Sequence, residues 1–306
     1  MSVCVLAQPI DASGVRLLRD AGIEVLEAAS PDPGVLVPLL ADAVAVIVRN
    51  KGLPSAAMAA APRLAVIGVH GTGTDAVDME TARERGIRVV NTPGTNAQSV
   101  AEHALGLMLA AARMTPAADR ATRSGDFGYR ERARGVELHG RRLGLWGYGR
   151  IAHALGTLGR ALGMDVDVLS RHAGEEELAR HGFRKVPTLD ALLAGADVLS
   201  LHGLPEGRAL IGAAEFARMR PGAILVNTAR GALIDENALV DALGSGHLRG
   251  AALDVFTEEP LPAASPLCAC PNLILTPHIG GSTQEALERT SLAVAEAVLR
   301  ELGRAG

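Results

Sequence analysis

The chain has 306 residues, 48% hydrophobic and 21% charged, enough to bury the cores of two domains of ordinary size. A net charge of −4 and a pI near 6.1 argue against a nucleic-acid or membrane-surface partner, and no apolar run is long enough to span a bilayer. Cys4, Cys268 and Cys270 give no disulfide framework and no complete metal site, and Met1–Leu6 lacks the basic region of a signal peptide, so a cytoplasmic enzyme is expected.

Up to about residue 94, short apolar runs alternate with helical patterns. Val3–Ala7, Ile23–Leu26, Val44–Val48, Leu64–Gly68 and Ile87–Val90 read as buried parallel strands. Residues 11–21, 54–61 and 75–86 read as helices, the last with Asp75 as N-cap and Gly86 as C-cap. Such a β-α-β-α series makes a doubly wound parallel sheet. Two loops follow strand ends, where these sheets bind ligands. Arg49-Asn50-Lys51-Gly52 reads equally as a ligand loop or a solvated charged turn, and Gly71-Thr72-Gly73 offers backbone N–H groups to an anion.

Residues 97–114 carry one long helical pattern, including Val100, Ala104, Leu107, Met108 and Ala111, suited to connecting domains. The polar stretch 115–137 resembles an exposed arm. Then Leu143–Trp146, a short buried strand by composition, ends in Gly147-Tyr148-Gly149, and a helix is predicted from Arg150 to about Gly163. This is the dinucleotide fingerprint G-x-G-x-x-A in its strand–turn–helix setting. Gly147 permits the tight turn, Gly149 lets a pyrophosphate approach the backbone, and Ala152 lets helix and strand pack closely. The free N–H groups and dipole of the helix start favour the phosphates.

Further strands are expected at Val166–Leu169, Arg184–Val186, Val198–Leu201, Ile224–Asn227, Gly250–Leu253 and Leu273–Leu275, with a helix over 235–244 capped by Asp235. The closing helix, 283–302, could return to the first domain. Three charged residues fall in loops after these strands. Arg230, in Asn227-Thr228-Ala229-Arg230-Gly231, offers a bidentate fork to a carboxylate. Glu259 precedes Pro260. His278 follows Thr276-Pro277, and beside a carboxylate it suits acid–base work near neutral pH.

On these segments the chain resembles the D-isomer-specific 2-hydroxyacid dehydrogenases, especially their phosphoglycerate dehydrogenase and hydroxypyruvate/glyoxylate reductase branches. The resemblance runs from Val48-Arg49 through Thr276–Ala286. It implies an α/β fold of two doubly wound parallel-sheet domains, a Rossmann dinucleotide-binding domain (95–278) inserted in a flavodoxin-like substrate domain (1–94 plus 279–306). It implies that Arg230 clamps the substrate carboxylate and carbonyl, while His278, supported by Glu259, exchanges a proton with the C2 oxygen. Asp254 and the Thr228 backbone would orient the carboxamide. The remaining coenzyme contacts would come from Val100, Gly147, Tyr148, Gly149, Arg150, Ile151, Ser170, Arg171, His202, Ala229 and Gly280. Arg49, Asn50, Lys51, Thr72 and Gly73 match the family's substrate loops, and Ala97–Met114 its long dimer helix, so a homodimer is expected.

The sequence departs from the family pattern in three places. Ala152 replaces the third glycine. The segment 202–208 is shorter than the usual threonine-containing loop. Position 170, where NAD-dependent members usually carry an acid, is Ser170, followed by Arg171 and His172. Serine removes the carboxylate that would repel a 2′-phosphate, and the arginine adds a cation worth roughly 10- to 150-fold in affinity. NADP(H) is therefore expected over NAD(H), with NAD(H) possible. The chain also stops soon after its last helix, so the regulatory domain of some phosphoglycerate dehydrogenases is expected to be absent. The predicted activity is hydride transfer to a small 2-ketoacid or from a D-2-hydroxyacid. Arg49 and Lys51 favour a second polar or anionic end: hydroxypyruvate, glyoxylate or phosphohydroxypyruvate/3-phosphoglycerate. The alternative is a non-enzymatic NAD(H)-sensing or corepressor-like protein on the same fold; a formate or phosphite dehydrogenase relative matches the motifs less well.

Overall fold

The computed structural model describes residues 2–303. Its contacts divide the chain into two compact units, Met1–Asn96 with Gly281–Gly306, and Ala97–Gly280. These borders fall two residues beyond those expected at 94 and 278. Asp254 accounts for the second, because its carboxylate accepts from the backbone N–H groups of Ile279 and Gly280 and keeps them with the second unit.

The first unit runs β1 (Ser2–Leu6), α1 (Ala12–Asp20), β2 (Ile23–Glu27), α2 (Pro33–Leu40), β3 (Ala43–Val48), α3 (Ser55–Ala59), β4 (Val66–Val69), α4 (Met79–Glu84) and β5 (Arg88–Asn91). The strands pair in parallel in the order β2-β1-β3-β4-β5, the flavodoxin-like winding. One face is covered by α2, α3 and α4, where Leu36, Leu40 and Met58 bury. One helix here goes unannounced and one expectation fails. Nothing in the local pattern announces α2, because Val35–Leu40 is uniformly apolar around Pro38 and has no helical alternation. Asp75 is not a cap: Leu53 and Val77 form a parallel bridge that keeps the chain extended there. The helix starts only at Met79, with Asp78 accepting from the Thr81 N–H.

The second unit runs α5 (Ala97–Arg113), α6 (Thr115–Arg123), α7 (Tyr129–Arg132), β6 (Arg142–Trp146), α8 (Arg150–Ala161), β7 (Asp165–Leu169), α9 (Glu175–Arg180), β8 (Phe183–Lys185), α10 (Leu189–Gly195) and β9 (Val198–Leu201). It continues with α11 (Ala213–Arg218), β10 (Ile224–Asn227), α12 (Glu236–Gly244), β11 (Gly250–Leu253), α13 (Pro266–Ala269) and β12 (Leu273–Leu275). After it, α14 (Gln284–Glu301) belongs to the first unit and buries Val294, Ala295, Val298 and Leu299 on the second face of that unit's sheet.

The seven strands of the second unit lie in the order β12-β11-β10-β9-β6-β7-β8, all parallel. The first strand, β6, is flanked by β9 and β7, so the winding reverses at its carboxyl end, the switch point where doubly wound sheets bind ligands. Apolar cores cover both faces, as buried parallel strands require. Among the described residues no helix is long and apolar enough to cross a membrane.

Candidate active site

The fingerprint stands at the switch point. Gly147 has φ of +88°, a conformation glycine adopts freely, and its N–H donates to the Leu169 carbonyl at 2.9 Å. Gly149 sits directly before α8, whose first turn has neither a side-chain cap nor an acidic residue. A Cβ built on Gly149 would meet nothing within 4 Å. The helix start therefore faces open space through a backbone with no side chain in the way, with Arg150 and Ile151 opening its first turn. Ala152, the third fingerprint position, is fully buried. Two buried polar atoms nearby have no hydrogen-bond partner, the Tyr148 hydroxyl and Thr228 Oγ1. Burial, then the charge of Glu177, pushes the Tyr148 pKa up and keeps its proton in place to donate. An uncapped helix start, a vacant approach and two orphaned hydroxyls fit a dinucleotide.

Past β7, Ser170 Oγ accepts from the N–H groups of His172 and Ala173, which fixes the loop. Arg171 donates two hydrogen bonds to the Glu206 carboxylate, at 2.6 and 2.8 Å. The imidazole of His202 turns to Ser200 Oγ, 2.9 Å from Nε2, and burial lowers its pKa to about 4.

The other end of the sheet carries the His278–Glu259 pair. His278 Nδ1 lies 2.8 Å from Glu259 Oε2, and the other Glu259 oxygen accepts from the Phe256 N–H. The Glu259 hydrogen bond is the strongest influence on His278 and holds its pKa above the ordinary 6.5, against burial and the charge of Arg230. Burial acts to raise the Glu259 carboxyl, but its bonds to His278 and Phe256 outweigh that and keep it below the usual range.

The backbone under His278 is held hard. His278 adopts φ of +55°, an uncommon conformation for a residue with a side chain. Asp254, 1% exposed at the end of β11, accepts from Thr276 Oγ1 at 2.6 Å, Ile279 N at 2.9 Å and Gly280 N at 2.8 Å. His103 Nε2 lies 3.3 Å from Asp254 and 3.1 Å from Thr276 Oγ1. In α5, Ser99 Oγ donates to the Gly280 carbonyl, and Val100 is buried beside it. Burial alone would raise the Asp254 carboxyl; the hydrogen bonds from His103, Thr276, Ile279 and Gly280 prevail and lower it. Such over-determination is how a strained backbone persists.

Arg230 is positioned in the same way. Asn227, fully buried at the end of β10, accepts from the Ala229 N–H and donates to the Arg230 carbonyl, stapling Thr228–Arg230. Gly231 follows against the next loop: a Cβ there would fall 1.9 Å from the Phe256 carbonyl carbon.

In the first unit, the loop after β3 is held by the segment after β1. Arg49 Nη1 donates to the Pro9 carbonyl, and Gln8 bonds Asn50 Oδ1 and the Lys51 N–H. Burial lowers the Arg49 pKa. The Gly71 N–H donates to Thr92 Oγ1, so one amide expected to face an anion is spent, and Asn91 Nδ2 donates to the Thr72 carbonyl beside Gly73. His70, whose Nε2 is 2.9 Å from Ser291 Oγ, has its pKa lowered to about 4 by burial and then by Arg49.

The loop residues are legible from their strand-end positions; the residues that hold them are not. Gln8 and His103 fall in no motif, and Asn227, Gly231 and Thr276 lie within the Arg230 and His278 segments without those segments revealing what they hold. A buried polar residue closing an apolar strand, as Asn227 does, is the one signal available.

Residues 105–280 match the family described as D-isomer specific 2-hydroxyacid dehydrogenase, NAD binding domain. The D-3-phosphoglycerate dehydrogenase of Mycobacterium tuberculosis is 40% identical over 301 residues, 97% of this chain. The chain spans 56% of that protein's length. A crystal structure of a Thermus thermophilus protein superposes with a TM-score of 0.89 at 36% identity, covering 98% of this chain and 97% of that one. An NADPH-dependent glyoxylate/hydroxypyruvate reductase from Sinorhizobium meliloti gives 0.85 at 30% identity, covering 97% and 94%. The chain belongs to the D-isomer-specific 2-hydroxyacid dehydrogenase family, and its second unit is a nicotinamide-coenzyme-binding domain.

Proposed function

We propose that the protein is a nicotinamide-dependent 2-ketoacid reductase, equivalently a D-2-hydroxyacid dehydrogenase. The observation that carries this reading is the 2.8 Å bond between His278 and Glu259, with the charge of Arg230 close enough to act on the same imidazole. Glu259 occupies Nδ1 and fixes the ring, leaving Nε2 to exchange a proton with the substrate's C2 oxygen. A pKa raised from the ordinary 6.5 by Glu259 favours the protonated ring that ketoacid reduction draws on. Arg230 binds the substrate carboxylate through its planar fork. The nicotinamide, when bound, supplies or takes the hydride at C2. Gly147, Gly149 and the start of α8 hold the pyrophosphate, with Tyr148, Arg150 and Ile151 around it. Thr228, Ala229, Val100 and Gly280 line the nicotinamide side. Asp254, its oxygens engaged by protein donors, acts by positioning the His278 segment.

Hydroxypyruvate, glyoxylate and phosphohydroxypyruvate are the favoured substrates. The relatives' named activities support this, as does the cationic loop Arg49–Lys51. NADP(H) is favoured over NAD(H): position 170 carries no carboxylate, Ser170 keeps its own proton to donate, and Arg171 adds a cation. A homodimer through α5 and the arm is favoured because α6 and α7 bury none of their residues and Phe127 is 72% exposed; a monomer in sedimentation at micromolar concentration would refute it. The test of function is steady-state reduction of glyoxylate, hydroxypyruvate, phosphohydroxypyruvate and pyruvate with both coenzymes. Turnover of none of them removes the reading.

A further inference from the structure

Glu206 has no role in the chemistry above, yet it holds a residue that does. The register sets Trp146, at the end of β6, level with Leu169 of β7 on one side and Leu201 of β9 on the other. The loops that leave β7 and β9 therefore rise on either side of the Gly147–Gly149 turn. They are joined by a fork, Arg171 Nη1 to Glu206 Oε1 at 2.6 Å and Nη2 to Oε2 at 2.8 Å. Neither side chain is buried; they are 74% and 63% exposed, so packing does not force the pair. The backbone beneath Arg171 is anchored by Ser170 Oγ. Only the guanidinium side chain is left to swing.

We propose that Glu206 is a specificity-determining residue that competes with a nucleotide 2′-phosphate for Arg171. The inference rests on the dinucleotide reading of the fingerprint. Glu206 occupies the Nη1/Nη2 edge of the guanidinium, and a phosphate binds that edge with the same two parallel N–H donors, so the two anions compete for it. A 2′-phosphorylated adenosine takes that edge of the fork only by displacing the carboxylate, so binding the phosphate carries the cost of opening the pair. A nucleotide with a plain ribose leaves the pair closed. Glu206 therefore holds the preference for the phosphorylated coenzyme below the level that Ser170 and Arg171 alone would set.

The experiment is calorimetric binding of 2′,5′-ADP and 5′-ADP to the full chain, without substrate or turnover. The proteins are wild type, Glu206→Gln, Arg171→Ala and the double variant. Glu206→Gln is expected to tighten 2′,5′-ADP by about two- to fivefold, the worth of an exposed ion pair, and to shift 5′-ADP by less than about twofold. The gain should shrink as ionic strength rises and vanish when Arg171 is already alanine. An unchanged ratio of the two affinities in Glu206→Gln overturns the proposal, as does a gain that survives in the Arg171→Ala background, since that is repulsion without exchange. Retained 5′-ADP affinity reports that each variant is folded. If wild type binds neither nucleotide, the dinucleotide reading itself falls, and the competition with it.

Discussion

The loops after β12 and after β7 leave the same sheet near its opposite ends and are built differently. The first, Thr276–Gly280, carries His278 on a backbone tied to Asp254, with Ser99 and His103 of α5 bonded into the same network. The second carries Arg171 into solvent, where it pairs with an exposed carboxylate on another loop. Proton transfer needs a reacting atom held within a few tenths of an ångström, and a buried network supplies that. Choice between two coenzymes needs only a charge in the right neighbourhood. One end is fixed; the other is adjustable.

Breaking the fixed end should have the largest effect. His278→Ala is expected to slow the chemical step roughly 10²- to 10⁴-fold while leaving nucleotide binding intact, because the fingerprint lies elsewhere in the sheet. Single-turnover rates with parallel binding titrations check both halves. At the adjustable end, Ser170→Asp combined with Arg171→Ala should reverse the coenzyme preference. The swing in the ratio of kcat/KM values for NADPH and NADH is expected to be roughly tenfold or more at fixed salt. A wild type that works better with NADH would refute the underlying preference while leaving the hydride chemistry untouched.

Asp254→Asn tests whether the fixed end is held as described. The Ile279 and Gly280 N–H groups bond different Asp254 oxygens, so an asparagine sets its NH2 against one of them and a buried donor is orphaned. The expected loss is about 1–3 kcal/mol of stability, read from denaturant unfolding. The smallest effect is a shift in pH dependence. His278 has a raised pKa, so ketoacid reduction should hold below it and fall as pH rises through it, a limb lying above 6.5. The same sign applies to stability: the Glu259 pair contributes fully just below pH 6.5 and is lost as pH rises through the raised His278 value, and again in acid as pH falls through the lowered Glu259 value. Glu259→Gln removes the charge that raises it and should move the reduction limb to lower pH. A limb that stays in place would show that another group titrates.

The fold is legible to the extent that apolar runs are short and clearly bounded. Ile23–Leu26, Val198–Leu201 and Leu273–Leu275 follow from composition, the first one residue short of the strand, and Asp235 is recognisable as a cap because its helix follows at once. The start of α4 is not, since it depends on Val77 bridging to Leu53, a contact with no local trace. The site divides in the same way. Arg230, Glu259 and His278 stand out as charges at strand ends. Gly231 gives no such signal, because what matters there is a gap too small for a methyl group beside a segment more than twenty residues on. Arg171 is visible as a cation just past the end of β7, but its partner Glu206 arrives from another strand and no spacing rule connects them.

The return of α14 to the first unit has a consequence for synthesis on the ribosome. The face of that unit's sheet which takes Val294, Ala295, Val298 and Leu299 is complete only after Ala97–Gly280 has emerged. Until then the nascent first unit displays an uncovered apolar surface, including the strip at Gly68, where a Cβ would come within 2.7 Å of Val298. The intervening unit carries its own cores and can fold while the first unit waits. The first unit therefore matures last although it is translated first, and during that interval it is the part of the chain most in need of a chaperone.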